Sequence, residues 1–173
     1  MIAVETLSTP ARDDELVTAL VEAIPNLAIY RHFKQPNEIG GFAFCFDDQM
    51  SCLLAFAASR RWLARQATDL RFYASDWILE EPLRNLQVPA GILHARFRRA
   101  GEAGLDTHVS DSFDRIIAAL QKARTRRLFS SETILFATSL GADDMVHSLT
   151  GQGVRRLNGD DAYQAWRQSW AEN

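Results

Sequence analysis

The apolar positions of the chain fall into blocks whose spacing alternates between helical and strand-like. Leu16, Val17, Leu20, Val21 and Ile24 recur at the three-, four- and seven-residue intervals of one helical face. Asp13 and Asp14 precede them, where a short acidic side chain caps a helix and suits the positive end of its dipole, and Pro25 marks the stop. Residues 34–37 read as a polar loop.

Residues 41–58 carry two apolar runs of strand length broken at 47–50, which predicts a β-hairpin turning between Asp48 and Gln49. That register sets Phe46 against Ser51, Cys45 against Cys52 and Phe44 against Leu53. One face then holds Phe42, Phe44, Phe46, Leu53 and Ala55, the other Ala43, Cys45, Cys52, Leu54 and Phe56. Both faces are apolar, so the hairpin must be covered on both sides and lie centrally in its sheet.

Ser59 is placed to cap a short helix with Trp62, Leu63, Ala67 and Leu70 inward, although Arg60 and Arg61 in its first turn have the wrong sign for the dipole. Residues 70–79 read as an extended strand or strand-turn element, and 82–87 and 92–99 as short helices followed by a loop at Gly101 and Gly104. Asp111 then caps a helix carrying Phe113, Ile116, Ile117 and Leu120 and ending in Lys122, Arg124, Arg126 and Arg127. Residues 133–139 form a buried-type strand and 142–149 a short helix. Gly151 and Gly153 punctuate a loop, 154–157 extend, and a last helix beginning at 158–161 carries Tyr163, Trp166 and Trp170. This order predicts one α+β domain spanning 1–173, with a mostly antiparallel sheet, a central hairpin at about 41–58, and helices packed on it. Residues 1–12 read as a loosely ordered N-terminal extension.

Composition agrees: 173 residues, 47% hydrophobic and 24% charged, make one globular domain with a sizeable core. No apolar run reaches the roughly 18 residues of a membrane span, and the start lacks the basic and apolar regions of a secretory signal, so a cytoplasmic location is expected. Two cysteines cannot build a disulfide framework or a four-ligand zinc site, and both read as small buried hydrophobes. The net charge of −3 argues against general nucleic-acid binding. It conceals a segregation: residues 1–50 hold eight acids and three bases, 51–130 eight acids and thirteen bases, and 131–173 six acids and three bases. Either the segments pack together and their charges intermix, or a face of one sign survives folding and meets a partner of the other. Seventeen arginines against two lysines make nearly every cation a planar guanidinium.

Candidate chemistry is sparse. Asp13-Asp14, Asp47-Asp48, Glu80-Glu81, Asp143-Asp144 and Asp160-Asp161 are doublets, but neighbouring residues do not face one another as an acid–base pair must, and most lie at helix starts or turns. His32, His94, His108 and His147 lack metal-ligand spacing, and no nucleophile elbow, phosphate loop or dinucleotide fingerprint is present. No catalytic residue, metal or cofactor is therefore expected. Arg60 and Arg61 are candidates for an anion site. The clusters Arg96, Arg98, Arg99 and Arg124, Arg126, Arg127 could also grip phosphate, or simply form solvated helix faces. Trp77, Trp166 and Trp170 are candidate interface anchors.

Several segments together, FAFCFDDQMSCLLAFAAS, RFYASDWILE, SFDRIIAALQ, TRRLF, TILFATS and RRLNGDDAYQAW, resemble the bacterial domain of unknown function family 4303, over about residues 13–170. The first turn of the helix after the hairpin departs from that likeness by carrying Arg60-Arg61. Domains of that size and setting resemble the cytoplasmic immunity proteins encoded beside bacterial toxins. The resemblance implies a binding protein that occludes a cognate toxin; the acidic segments would suit a basic cleft, which makes Asp47, Asp48, Asp143 and Asp144, with Trp77 as anchor, the expected partner-binding residues of a monomer or homodimer that contacts neither membrane nor nucleic acid directly. The alternative is a small regulatory module that takes an anionic ligand on Arg60 and Arg61.

Overall fold

Strand β1 (Ile39–Phe46) is buried along its whole length, and the other elements are arranged around it. The computed structural model describes residues 14–171 apart from 67, 68, 78 and 142, so the N-terminal extension expected at 1–12, with Asp13 and Ala67, lies outside the described residues. Among these residues the sheet contains β1, β2 (Leu54–Ser59), β3 (Leu79–Glu80) and β4 (Ile134–Ser139), in the order β3-β2-β1-β4. β2 runs antiparallel to both β1 and β3, whereas β4 runs parallel to β1. The domain is α+β with the hairpin strands at the centre, and its single parallel pair makes the sheet mixed.

Both hairpin faces are covered. Phe42, Phe44, Phe46 and Ala55 join a core built from α1 (Glu15–Ala23), α4 (Gln87–Ala100) and α5 (Leu105–Thr125) through Leu16, Leu20, Leu93, Phe113 and Ile117. Ala43, Cys45, Phe56 and Phe136 face Phe72, Trp77, Val154 and Trp166 on the opposite side, where α6 (Asp144–Asn158) and α7 (Asp160–Ala171) contribute. Burying each such phenylalanine contributes roughly 1.5–3 kcal/mol.

The hairpin register differs from the expected one. Phe44 lies opposite Ala55 and Cys45 opposite Leu54, a shift of two residues that keeps the side chains of the paired strands on their predicted faces. Asp47 is the cause. Its carboxylate accepts hydrogen bonds from the Ser51 amide at 2.6 Å, the Ser51 hydroxyl and the Cys52 amide at 3.2 Å. Its carbonyl takes the Met50 amide at 2.9 Å, and Met50 adopts a φ of 53° with its side chain buried. A two-residue turn at 48–49 would forfeit these bonds. Cys52 is consequently exposed in the loop rather than buried opposite Cys45.

Residues 70–79 are not a strand. Two 3-10 turns, Asp69–Phe72 and Ala74–Asp76, precede a β3 of only two residues. Phe72 and Trp77 are five apart, so an extended chain would aim them at opposite faces, and the turns bring both onto the same one. Trp77 seats its indole over Gly41, where a Cβ would come within 2.5 Å of its Cη2, and meets Phe136 edge-on at 5.3 Å. Next in sequence, Glu81 is 1% exposed and accepts the amides of Ala28 at 3.0 Å and Ile29 at 2.8 Å, capping α2 (Ala28–Arg31) from across the chain.

The helices are longer than predicted. α4 is continuous because Pro89 falls in its first turn, where no intrahelical N–H is lost. α5 begins six residues before Asp111, which is exposed in mid-helix. The earlier start is favoured by His108 and Val109, already buried against the core. α6 runs straight through Gly151 and Gly153. These glycines serve close packing on two sides: a Cβ at Gly151 would lie 2.7 Å from Cη2 of Trp166 on α7, and one at Gly153 would lie 2.8 Å from Cδ1 of Ile117 and 2.9 Å from Cζ of Phe113 on α5. Asn158 ends α6 with its amide against the β4 backbone, accepting from the Leu135 N–H at 2.9 Å and donating to its carbonyl at 2.6 Å.

Alanine for glycine ordinarily stabilises a helix interior by about 0.8–1 kcal/mol. Gly151→Ala is expected to reverse that sign and cost about 1–3 kcal/mol through overpacking against Trp166; a raised urea midpoint would contradict the close contact of α6 and α7.

Asp14 accepts the Leu16 amide at 3.0 Å and pairs with Arg115. Burial pushes its carboxyl up, but the hydrogen bond and charge of Arg115, with the Leu16 and Val17 amides, outweigh this and hold it below the ordinary carboxylate value. A depressed folded pKa gives stability that is complete above the unfolded pKa and lost as pH falls through the folded one. In a pH series of urea midpoints, Asp14→Asn should flatten the acid limb, and an acid limb identical to that of the parent would refute this contribution.

Candidate functional site

The parallel pairing of β1 and β4 determines which loops meet. Phe46 lies opposite Ser139 at the carboxyl ends of the two strands, and the Leu140 amide extends the pairing to the Phe46 carbonyl at 2.9 Å. The hairpin loop and the segment leading into α6 therefore emerge side by side. Asp48, on the first, accepts a hydrogen bond from the Ser139 hydroxyl, and Ser139 Oγ in turn accepts the Gly141 amide at 2.8 Å. A Cβ at Gly141 would run into the Asp48 carboxylate, so a glycine is needed for the two segments to close up.

Asp143 is the N-cap of α6, its Oδ1 accepting the amides of Met145 at 2.9 Å and Val146 at 3.1 Å. Asp144 follows as the first helical residue, exposed to solvent. Asp47, Asp48, Asp143 and Asp144 thus gather at one mouth of the sheet. Beside them is a cleft of about 270 Å³ lined by Thr138, Ser139, Asp143, Asp144, His147 and Trp170 among others, with no Arg or Lys among the described residues of its wall. Two large apolar side chains stand open at this end: Leu140 is 51% exposed and Trp170 39% exposed. Trp170 is held rigidly, stacked on Tyr73 at 5.2 Å and edge-on to His147 at 4.8 Å.

Trp77 does not belong to this mouth. It is 4% exposed in the core and, contrary to the sequence expectation, presents no surface to a partner; Trp166 is buried as well, leaving Trp170 as the exposed tryptophan of the three. Leu140 escaped the sequence reading, and His147 enters it only as a metal-ligand candidate. Leu140 had one local signal, an apolar residue just past a buried strand and just before a glycine, and His147 follows Asp143 by one helical turn.

Arg60 and Arg61 do not form a free pair. The Arg60 guanidinium donates to the Asn37 carbonyl at 2.8 Å, to Ser130 Oγ at 2.9 Å and to Glu132, so its charge is already matched. Arg61 is exposed beside it. Arg124 is likewise structural: its guanidinium donates to the Leu157 and Thr133 carbonyls, and burial draws its pKa below the ordinary arginine value.

Neither thiol is an activated nucleophile. Burial pushes both pKa values up, with the charge of Glu80 adding to it at Cys45 and that of Asp47 at Cys52, so each stays protonated near neutrality. Among the described residues, no group of three or more His, Cys, Asp or Glu side chains is placed to hold a metal ion, and no helix is long and apolar enough to cross a membrane. No protein family, curated protein or solved structure matches the chain.

The two members of the Asp143-Asp144 doublet should separate on substitution. Asp143→Ala removes a cap and is expected to cost about 1 kcal/mol, within roughly 0.5–2, while Asp144→Ala should fall within about 0.5 kcal/mol of the parent. Equal losses in thermal or urea unfolding would refute the division of roles.

Proposed function

We propose that the protein is a cytoplasmic binding protein of the immunity type, which neutralises a cognate toxin by covering it with the acidic mouth. One observation carries this reading: four carboxylates, from segments some 95 positions apart in sequence, emerge at one end of the sheet with two exposed apolar side chains, and among the described residues no Arg or Lys lines the cleft beside Asp143, Asp144 and Trp170. An apolar anchor within a charged rim is the anatomy of a specific protein interface. Carboxylates fix the sign of the partner, because complementary charge speeds encounter and like charge excludes wrong surfaces. A toxin acting on nucleic acid or nucleotides needs a basic cleft, and such a cleft would accept this mouth. The immunity type itself rests on the resemblance of short segments of the sequence to domain family 4303, since no protein family matches the chain. The Arg60–Arg61 alternative has less to support it, since Glu132 already pairs with the Arg60 guanidinium.

Co-expression with the product of the adjacent gene tests the proposal. A stable complex and rescue of growth are expected. Trp170→Ala should weaken the complex by at least about 2 kcal/mol, roughly thirtyfold, and Asp144→Arg should abolish protection, while Arg126→Glu, at the far end of α5, should leave it intact. Absence of a complex, or protection indifferent to Asp144→Arg, would sink the reading.

A further inference from the structure

A second concave surface lies between α4 and α5, and its chemistry is opposite to that of the mouth. We infer that this cleft binds the phosphate group of a phosphorylated small molecule through Arg96 and Arg99. The two arginines are three apart on α4 and therefore share a face, and both line a cleft of about 520 Å³. Neither makes an ion pair among the described residues. Arg99 donates its Nε only to the Ala95 carbonyl of its own helix, at 3.2 Å, and the Nε of Arg96 is buried without a hydrogen-bond partner. Asp111, the acid in the wall, is turned toward Arg115, with 3.8 Å between Oδ2 and Nη1.

This sets the pair apart from four other arginines, while Arg71, whose Nε is also buried without a partner, is not among the residues lining this cleft. Arg60 has Glu132, Arg115 has Asp14, Arg156 has Asp114 and Arg124 has backbone carbonyls. Two guanidiniums lining one concavity repel each other, and the buried Nε of Arg96 lacks a partner, so a dianion there relieves both costs. A phosphate monoester suits the pair better than a carboxylate, because its three terminal oxygens can accept two forks at once. The opposite wall supplies the Thr107 hydroxyl and the edge of His108. His108 is 6% exposed and fixed: the Met50 carbonyl can only accept, so Nε2 donates to it at 3.2 Å, and Nδ1 lies 3.3 Å from Ser112 Oγ. The volume exceeds that of one phosphate and lies within the range of about 300–1,000 Å³ of small-molecule sites, leaving room for an organic body on the ester.

Isothermal titration of the full chain at low salt, with inorganic phosphate, adenosine monophosphate and sulfate as separate probes, tests the assignment. Saturable binding of phosphate or the nucleotide is expected, weakened at least about tenfold by Arg99→Gln and by Arg96→Gln, and unchanged by Arg98→Gln, whose side chain lines a different cavity. Tighter binding of the nucleotide than of phosphate would place the organic body in the cleft, and equal binding would limit recognition to the phosphate group; both support the site. Arg99 is exposed, so its variant keeps the test free of folding defects. No saturable heat with either phosphate probe, sulfate binding as tight as phosphate, or affinity indifferent to Arg99→Gln would overturn the inference.

Discussion

A strand with two apolar faces has few places to go. Ile39–Phe46 is buried at every position, and its side chains point alternately to opposite sides, so exposing one side would return Phe42, Phe44 and Phe46 to water, and exposing the other would uncover Ala43 and Cys45 with Phe56 and Phe136 of the neighbouring strands. The sheet must therefore have partners for β1 at both edges and helices on both faces. β2 and β4 fill the edges, α1, α4 and α5 cover the phenylalanine face, and α6, α7 and the turns around Trp77 cover the alanine and cysteine face. The second face has small residues at Ala43 and Ala58, which is why large aromatics, Trp77 and Trp166, can close over it.

The same strand creates the acidic mouth. Because β4 joins β1 in parallel, the exits of both strands lie at one end of the sheet. A hydrogen-bonded chain running from Gly141 through Ser139 to Asp48 then locks the two exits together. Antiparallel docking of β4 would have carried Asp143 and Asp144 to the opposite end, away from Asp47 and Asp48. Three of these carboxylates are engaged in holding loops or a helix start. Their negative charge is thus pre-organised: a partner would meet it without ordering flexible side chains, a cost that commonly weakens protein interfaces.

What was legible in the sequence and what was not divide along a physical line. α1, the central hairpin and its two faces, and the core side of α5 follow from local periodicity, which the structure obeys. The misread places are those where a distant contact overrides a local preference. Gly151 and Gly153 look like loop residues until Trp166, Phe113 and Ile117 are seen to require their missing side chains. Residues 70–79 have strand propensity, yet Phe72 and Trp77 must reach the same side. The hairpin register followed the polar break at 47–50, whereas Asp47 organises a wider loop with three hydrogen bonds of its own. The site shows the same division. The acidic doublets could be named from sequence, but their convergence depends on the parallel register between residues about 93 positions apart.

The charge segregation along the chain is resolved by both of its alternatives, in different places. Arg115 from the basic middle pairs with Asp14 from the acidic start, Arg60 with Glu132, and Arg156 from the acidic end with Asp114 in the middle. These pairs stitch the segments together, and being partly exposed each is worth little by itself, about 0–1 kcal/mol. Beside these pairs, two concavities carry charge of one sign: Arg96 and Arg99 at the α4–α5 cleft, and Asp143 and Asp144, with no Arg or Lys among the described residues lining it, at the β1–β4 mouth. Intermixing and segregation thus both occur. Residual charge that sits in a concavity is harder to explain as solubility than charge on a convex helix face, because recessed walls restrict the water that would otherwise screen it. The arginine excess thus includes clamps that hold the fold, exposed residues such as Arg61 and Arg98, and the pair lining the α4–α5 cleft, whose recessed charge is the kind a ligand can use.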